Sequence, residues 1–392
     1  MTSQLTPLPD PPRLLLGPGP SLMHPRIAAA LGSPLLGHLD PLFLRIMDET
    51  QGMLRDLFRT SNRLTIPMSA TGSGGMETCL VNLVEPGDRV VVGACGAFGG
   101  RIADGARRLG AEVFPVEATW GTPVDPERFV AEIRSRRPAL AAIVHAETST
   151  GVLQPLDGIP EAVRAADALL MVDCVTSLGG LPVEADGWPA DAIFSGSQKC
   201  LSCPPGLSPA TFGERALAKI RARRTPVTSW YFDLSMLEKY WGTDRVYHHT
   251  APISMVLALR EALALVFEEG LAARFERHAR HRDALIEGLA ALDLAPLVAP
   301  AHRLPMLTSV RVPEGMDDGA VRRRLLGTHG IEIGGGLGPL AGKVWRIGLM
   351  GYSSRPENIT RFLSALGECL GAAGHRCDPR EAVGAAEGRL RS

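Results

Sequence analysis

Short apolar runs alternate with helix-like stretches along most of this chain. Runs at residues 89–93, 139–145, 168–173 and 191–195 predict buried strands, and three of the four are preceded by a helix-like segment. Between Asp40 and Phe58 the apolar residues recur at the spacing of an amphipathic helix. Alternation of this kind is typical of a mostly parallel sheet with helices on both faces, so we expect an α/β fold.

The same pattern divides the chain into three parts. Residues 1–22 are rich in Pro and Gly and predict an extended arm, which has no core of its own and is expected to cross onto a neighbouring copy. Residues 23–275 form the expected large domain. A helical pattern at 260–292 is followed by strand-like runs at 308–312 and 343–350, so residues 276–392 predict a smaller C-terminal α+β domain. Its polar tail after about Gly371 is expected to be loosely held.

Composition narrows the class of protein. The 392 residues carry 41 basic and 42 acidic side chains, a formal charge of −1, which disfavours nucleic acid or an anionic membrane as a partner. Apolar runs of about ten residues or fewer are too short to span a bilayer, and the first ten residues lack the pattern of a secretory signal. Seven cysteines with no framework spacing suit a reducing compartment, and the chain does not end in a peroxisomal signal. We therefore expect a cytoplasmic protein.

Cys200 and Cys203 form a C-x-x-C pair without a second ligand pair, so no metal site is predicted.

Small and hydroxyl residues follow several of the predicted strands, where ligands of parallel sheets bind. After the run at 64–68 come residues 69–75, SATGSGG, ahead of a helix start. This arrangement predicts either an anion site for phosphate or an ordinary helix N-cap. Phe98 lies among four glycines, either to stack on a flat ligand or to plug the core. Another hydroxyl cluster, ETSTG, occupies residues 147–151 after the strand run at 139–145.

A carboxylate and an amine end two more strands. Asp173 closes the run at 168–173, and Lys199 follows the run at 191–195; burying either is expensive without a partner or a task, unless they pair with each other. The chain has four lysines, and the other three, Lys219, Lys239 and Lys343, lie in helix or loop settings typical of solvated amines. A lysine, an acid, an aromatic ring and a phosphate site together indicate pyridoxal 5′-phosphate (PLP).

These residues also carry a resemblance to a known family. Between about residues 13 and 370 the chain resembles the class V, fold-type I aminotransferases, and it is most similar to the alanine–glyoxylate/serine–pyruvate aminotransferase group. The motifs are GPGP (17–20), TGS (71–73), HAETSTGVLQP (145–155), VD (172–173), SGSQK (195–199), YHHT (247–250) and GKVWRIG (342–348). The resemblance implies a large domain with a mostly parallel seven-stranded sheet and a homodimer with its sites at the interface.

The resemblance also implies roles for individual residues. Lys199 would hold PLP as the internal aldimine, and Asp173 would pair with the pyridinium nitrogen. The remaining cofactor contacts would be Thr71, Gly72, Ser73 and Gln198 at the phosphate, Phe98 on the ring face, Thr148 near the ring hydroxyl, and Tyr247 with Thr250 from the partner subunit. Arg346 would bind the substrate carboxylate, with Gly19 beside the substrate. Some members have Trp where Phe98 stands and His where Ser73 stands.

The implied reaction is ping-pong transamination from a small L-amino acid, alanine or serine, to glyoxylate or pyruvate. The alternative is a ureidoglycine–glyoxylate aminotransferase, a group in which the positions of Tyr247 and His38 tend to be Asn and Gln. A cysteine desulfurase is disfavoured because neither Cys369 nor Cys377 lies on a suitable late loop. A dinucleotide-binding oxidoreductase or a cofactor-free binding protein would explain the α/β alternation but not Lys199 with Asp173.

Overall fold

The computed structural model describes residue 8 and residues 12–391 of the chain. Its strands are β1 Leu14–Leu15, β2 Leu64–Met68, β3 Arg89–Ala94, β4 Glu112–Glu117, β5 Leu140–Val144, β6 Ala146–Glu147, β7 Val152–Leu153, β8 Leu169–Asp173, β9 Ala192–Phe194, β10 Ser208–Phe212, β11 Leu307–Arg311, β12 Ile331–Glu332, β13 Gly334–Gly335 and β14 Val344–Gly348. Its α-helices are α1 Pro25–Leu31, α2 Pro41–Phe58, α3 Gly72–Leu83, α4 Ala97–Arg108, α5 Pro126–Arg136, α6 Ile159–Ala165, α7 Glu214–Arg221, α8 Leu234–Trp241, α9 Ile253–Glu269, α10 Leu271–Ala291, α11 Asp318–His329, α12 Pro356–Ala372 and α13 Pro379–Arg391. Short 3-10 helices cover Pro300–His302, Gly338–Leu340 and Gly351–Ser353.

The central sheet has seven strands in the order β2-β10-β9-β8-β5-β3-β4. Strand β10 runs antiparallel to both of its neighbours, and the other pairs are parallel. Strands β2, β5, β8, β9 and β10 are buried along their whole length. Burial on both faces explains why β5, β8 and β9 consist almost entirely of apolar residues rather than of alternating patterns. The predicted α/β class and mostly parallel sheet are confirmed.

The helix predicted at 40–58 is present as α2. Asp40 caps it by accepting the N–H of Leu42 at 2.7 Å, and Pro41 occupies its first turn, where no intrahelical N–H is needed. The helical stretch predicted at 260–292 is divided into α9 and α10. The break falls at Gly270, whose φ of +82° lies in the region that favours glycine over residues with a side chain.

A smaller sheet lies near the C-terminus, with β11, β14 and β13 paired antiparallel in that order. Its core includes Trp345 of β14 and Ala284 of α10, whereas the core around the large sheet includes α9 residues up to Val266. The predicted domain change near residue 275 lies between these two sets and stays a prediction.

The segment after Gly371 differs from its prediction. Residues Pro379–Arg391 form α13, in which Ala382 and Ala386 are fully buried in the C-terminal core. Glycines on the facing helices allow this close approach: a Cβ on Gly288 would lie 3.0 Å from the Ala382 carbonyl oxygen, and one on Gly367 would lie 2.8 Å from Pro379. The expectation of a loosely held tail is therefore wrong, because small side chains let α13 pack tightly.

The N-terminal arm is also different from its prediction where the structure describes it. Leu14 pairs with Ile331 in a parallel bridge, and Leu14 and Leu16 are buried in the C-terminal core of the same chain. The Ser21 hydroxyl donates to the Lys199 carbonyl oxygen at 2.7 Å. From Leu14 to Ser21 the expected crossing to a neighbour is wrong, since this apolar run covers its own chain. Residues 1–7 and 9–11 of the arm lie outside the described residues.

Within the described part of the chain, no helix combines the length and the apolar character needed to cross a membrane. All seven cysteines are free, and six of them are buried. Among residues 8 and 12–391, no group of three or more metal-ligating side chains is arranged to hold a metal ion.

Candidate active site

A cavity of about 210 Å³ opens where β5, β8 and β9 end. Seven residues predicted from the sequence line it together: Gly72, Ser73, Phe98, Thr148, Asp173, Gln198 and Lys199. They come from five separate segments, each at or just after the end of a strand. The sheet topology gathers them, because the carboxyl ends of its parallel strands lie on one edge.

Lys199 is buried, with 8% of its surface exposed, on the loop that follows β9. Its Nζ donates to the Pro18 carbonyl oxygen. Gly19 covers it so closely that a Cβ there would lie 2.7 Å from Nζ, and the φ of Gly19 is +106°, so both space and backbone require glycine. Burial, followed by the charge of Arg346, lowers the pKa of Lys199 to about 8. Near neutral pH a useful fraction of this amine is therefore uncharged and nucleophilic.

Asp173 ends β8 and is 5% exposed. Burial raises its pKa to about 7; the N–H of Val175, 2.8 Å from Oδ1, acts in the opposite direction, and the charge of Glu147 raises it further. No ion pair within 4 Å joins Asp173 to Lys199 in the described structure, so the mutual salt bridge considered from the sequence is not formed. A cation placed against this carboxylate would restore its ionised form, which suits a protonated ring nitrogen.

The start of α3 provides an anion site. Thr71 is the N-cap residue but makes no side-chain capping bond, so the first amides of the helix are left for a ligand. Gly72 and Ser73 face the cavity, whereas Thr71 is exposed and does not line it. A Cβ on Gly72 would lie 3.1 Å from Val175. Gln198 also borders the cavity, and its side-chain NH2 group is a donor of the kind that binds phosphate oxygens. These groups fit a bound phosphate.

Glu147 organises the opposite wall and was given no role in the sequence analysis. Its fully buried carboxylate accepts the N–H groups of Phe98 at 3.1 Å and Gly99 at 3.4 Å, and both the N–H and the hydroxyl of Ser149. Ser149 Oγ in turn accepts the N–H of Ala97 at 2.9 Å. Burial raises the pKa of Glu147, although these bonds oppose the rise. The carboxylate thus caps α4; its only sequence signal was an acid inside a hydroxyl cluster.

Phe98 lies in the first turn of α4 and forms part of the cavity wall. Its ring is partly buried and packs against the main core, and stacking on a flat ligand stays a prediction. Arg101, one turn later, holds its Cζ 4.6 Å from the centre of the Phe98 ring and also lines the cavity. Sequence reasoning missed Arg101, which has no signal apart from its spacing of three from Phe98.

Arg346 lies beside the cavity rather than in its wall. It is buried at the centre of β14, where Nε donates to the Gly335 carbonyl at 2.7 Å and Nη1 donates to the Thr148 carbonyl at 3.0 Å. Burial lowers the pKa of Arg346, and its charge is the second cause of the lowered pKa of Lys199. The guanidinium is therefore buried rather than solvated, and it is joined to the cavity wall through the Thr148 carbonyl.

Tyr247 and Thr250 do not reach the cavity of their own chain. Tyr247 is 53% exposed, and its hydroxyl lies 3.4 Å from the exposed Thr250 hydroxyl. The ring of His38 lies 5.0 Å from that of Tyr247. Their contact with a partner's cofactor stays a prediction.

Comparison with known proteins places this geometry in context. The family model described as aminotransferase class-V matches residues 28–362. The chain is 43% identical over 368 residues to the alanine–glyoxylate aminotransferase of Oryctolagus cuniculus, covering 93% of this chain and 94% of that protein.

Two solved structures have closely similar folds. An alanine–glyoxylate aminotransferase from a Nostoc species has a TM-score of 0.92 at 51% identity, covering 94% of this chain and 97% of its own. A ureidoglycine–glyoxylate aminotransferase from Bacillus subtilis has a TM-score of 0.96 at 44% identity, covering both chains completely. With this match over most of its length, the chain belongs to the class V aminotransferase family, whose members transfer amino groups with the help of PLP.

Proposed function

We propose that this aminotransferase moves the amino group of a small L-amino acid, alanine or serine, to glyoxylate or pyruvate in a ping-pong cycle. The observation that carries the proposal is the meeting of Lys199, Asp173 and the open start of α3 in one small cavity. The relatives named alanine–glyoxylate aminotransferases support glyoxylate as the acceptor.

When bound, PLP supplies an electron sink for the negative charge that develops at the substrate Cα. Asp173 keeps the ring nitrogen protonated, because its buried carboxylate gains a cationic partner there. Lys199 would hold PLP through Nζ, and when a substrate amine has taken its place, the free Nζ would accept the proton from the substrate Cα and later donate it back. A pKa of about 8 suits this task, since a base near the working pH can both accept and release the proton.

The other residues of the site would bind PLP and orient it. Gly72, Ser73 and Gln198 would bind the phosphate together with the free amides of α3, and Thr71 would contribute from the N-cap position just outside the cavity. Phe98 would cover the ring face, and Thr148 would lie near the ring hydroxyl, since both line the cavity.

Arg346 would bind the substrate carboxylate, with Gly19, which covers Lys199, as a second contact to the substrate. Its Nη2 has no partner among the described residues, and the planar fork can orient a substrate that offers little else to hold.

We further propose a homodimer in which Tyr247 and Thr250 reach the partner's cofactor. Exposed apolar side chains surround this turn, including Leu39 at 46%, Trp230 at 59% and Val246 at 53%, and a surface of this kind is typical of an interface. The seven free cysteines support a cytoplasmic location for the enzyme.

Ureidoglycine–glyoxylate transamination is the second candidate, favoured by the 44% identity to the Bacillus subtilis protein. The ring pair of His38 and Tyr247 argues against it. A planar ureido group is well matched by side-chain amides, and here an imidazole and a phenol occupy the two positions at which that group tends to have amides.

Steady-state kinetics on the PLP-loaded enzyme separate the candidates. Alanine, serine and ureidoglycine are each tested as donors with glyoxylate and with pyruvate. We expect the largest kcat/KM for alanine or serine with glyoxylate or pyruvate. A kcat/KM for ureidoglycine more than tenfold above both would select the alternative, and absence of a visible PLP band bleached by borohydride would refute both.

A further inference from the structure

Two adjacent histidines connect the 247–250 turn to the loop that leads into α3. His248 Nε2 lies 3.2 Å from the Trp230 carbonyl oxygen, and its Nδ1 lies 2.8 Å from His249 Nδ1. His249 Nε2 lies 2.8 Å from Ser69 Oγ. Ser69 directly follows β2, and two residues later Thr71 is the N-cap of α3. We call the chain of groups from the Trp230 carbonyl through both rings to Ser69 the imidazole relay.

One carbonyl sets the direction of every bond in the relay. The Trp230 oxygen can only accept, so His248 Nε2 carries a hydrogen and donates it. A neutral His248 then has a lone pair at Nδ1, and His249 Nδ1–H donates to it. His249 Nε2 is left as an acceptor, so the Ser69 hydroxyl donates to it. Burial, with His248 nearby, lowers the pKa of His249 to about 4, consistent with a neutral ring.

Aromatic packing holds the relay in place. The Trp230 ring stacks on His248 with centroids 4.3 Å apart and planes 15° from parallel. The Tyr231 ring lies 4.8 Å from that of His249, and its hydroxyl donates to the Ser69 carbonyl at 3.2 Å. Ser69 is thus held through both its side chain and its backbone.

The turn therefore has two faces. His248 is 7% exposed and points inward to the relay, whereas Tyr247 and Thr250 on either side of the histidine pair are exposed. A displacement of His249 would move both the loop at Ser69 and the outward pair, because the same short segment carries them.

We propose that His248 and His249 are positioning residues that align the loop at Ser69 with the Tyr247–Thr250 turn, so that PLP is retained in both sites of the dimer. The inference rests on the proposed function, since the outward residues gain a cofactor contact only if PLP binds and a partner is present. Neither histidine lines the cavity; both act through Ser69 and through the turn.

A double-mutant cycle on the full-length protein tests the relay. Ser69→Ala, His249→Phe and the double variant are compared by titrating the cofactor-free protein with PLP and following the visible absorbance. Each single change should raise the Kd for PLP about five- to tenfold, because each removes the same hydrogen bond. The double variant should bind PLP no more weakly than the single variant with the larger Kd.

Rescue and a matched control separate positioning from general damage. His249→Gln offers an acceptor for Ser69 and a donor for His248, so its Kd should stay within about threefold of wild type. His375→Phe removes a half-buried histidine whose Nε2–H donates to the Leu292 carbonyl in the C-terminal core, and it should leave the Kd unchanged.

Several results would overturn the inference. Multiplicative effects of Ser69→Ala and His249→Phe would mean that the two residues act independently. An unchanged Kd in His249→Phe, or no rescue by Gln, would also refute positioning through the relay. If His249→Phe fails to fold, the other two variants still decide the question. Weaker PLP binding by Ser69→Ala together with a Kd near wild type for His249→Gln supports the relay. Unchanged PLP binding by Ser69→Ala together with weaker binding by His249→Gln overturns it. Failure of the wild-type chain to bind PLP would instead overturn the proposed function, and the inference with it.

Discussion

Replacing Asp173 by Asn should change the stability of the cofactor-free protein in a pH-dependent way. Burial raises the pKa of Asp173 to about 7 in the folded chain, whereas in the unfolded chain it returns to about 3.8. Between these values the folded state holds a proton that the unfolded state has released. The free energy of unfolding therefore falls as the pH rises through this window: the contribution is fully present below about pH 4 and is lost above about pH 7.

The magnitude follows from the pKa. Each pH unit inside the window corresponds to about 1.4 kcal/mol, so from pH 5 to pH 8 wild type should lose about 2.7 kcal/mol relative to Asp173→Asn, whose amide does not titrate. Asn keeps the volume and can still accept the N–H of Val175.

Urea unfolding of the two cofactor-free proteins at both pH values measures this difference. The exposed Asp157→Asn serves as the matched control and should show no such change with pH. A difference between wild type and Asp173→Asn that is equal at pH 5 and pH 8 would refute the raised pKa.

When PLP is bound, replacing Asp173 by Asn should be harmful, because the carboxylate must then be ionised to keep the ring nitrogen protonated. Asp173→Asn should lose more than a factor of ten in kcat/KM, a loss above about 1.4 kcal/mol. If it retains more than a tenth of the wild-type value, the proposed role of Asp173 is wrong.

Three further substitutions test the rest of the site. Lys199→Ala should abolish turnover while the protein still folds and binds some PLP; after borohydride reduction, peptide mapping of wild type should find the pyridoxyl group on Lys199, and a label on another lysine would contradict this. Arg346→Lys should raise KM and lower kcat, with a loss of about 2–4 kcal/mol in kcat/KM and an unchanged PLP spectrum; unaltered kinetics would exclude a carboxylate contact. Glu147→Gln should weaken PLP binding by about 1–3 kcal/mol, since an amide cannot accept all four donors at the start of α4; an unchanged Kd for PLP would show that Glu147 does not position Phe98.

The central sheet and its strand ends could be predicted because local pattern reports them. A strand buried on both faces reads as an apolar run, and the residue that follows it lies at the ligand-binding edge of a parallel sheet. Asp173 and Lys199 were identified in this way, Lys199 with the help of the scarcity of lysine in the chain. These inferences need only the composition and order of nearby residues.

Contacts between distant segments could not be predicted in this way. Arg346 donates to a carbonyl 198 residues away, and Glu147 caps a helix that starts about 50 residues earlier in the chain. The tail, expected to be loose, is a packed helix because glycines on two other helices leave room for it.

The sequence by itself thus determined the fold class and the two residues that carry the expected chemistry. The tertiary structure alone decided how these residues are surrounded. It showed that Lys199 contacts the Pro18 carbonyl rather than Asp173, and that the described arm covers its own chain. The physical reason is that periodicity encodes which face of a segment is buried, whereas the partner that buries it depends on the packing of segments far apart in the chain.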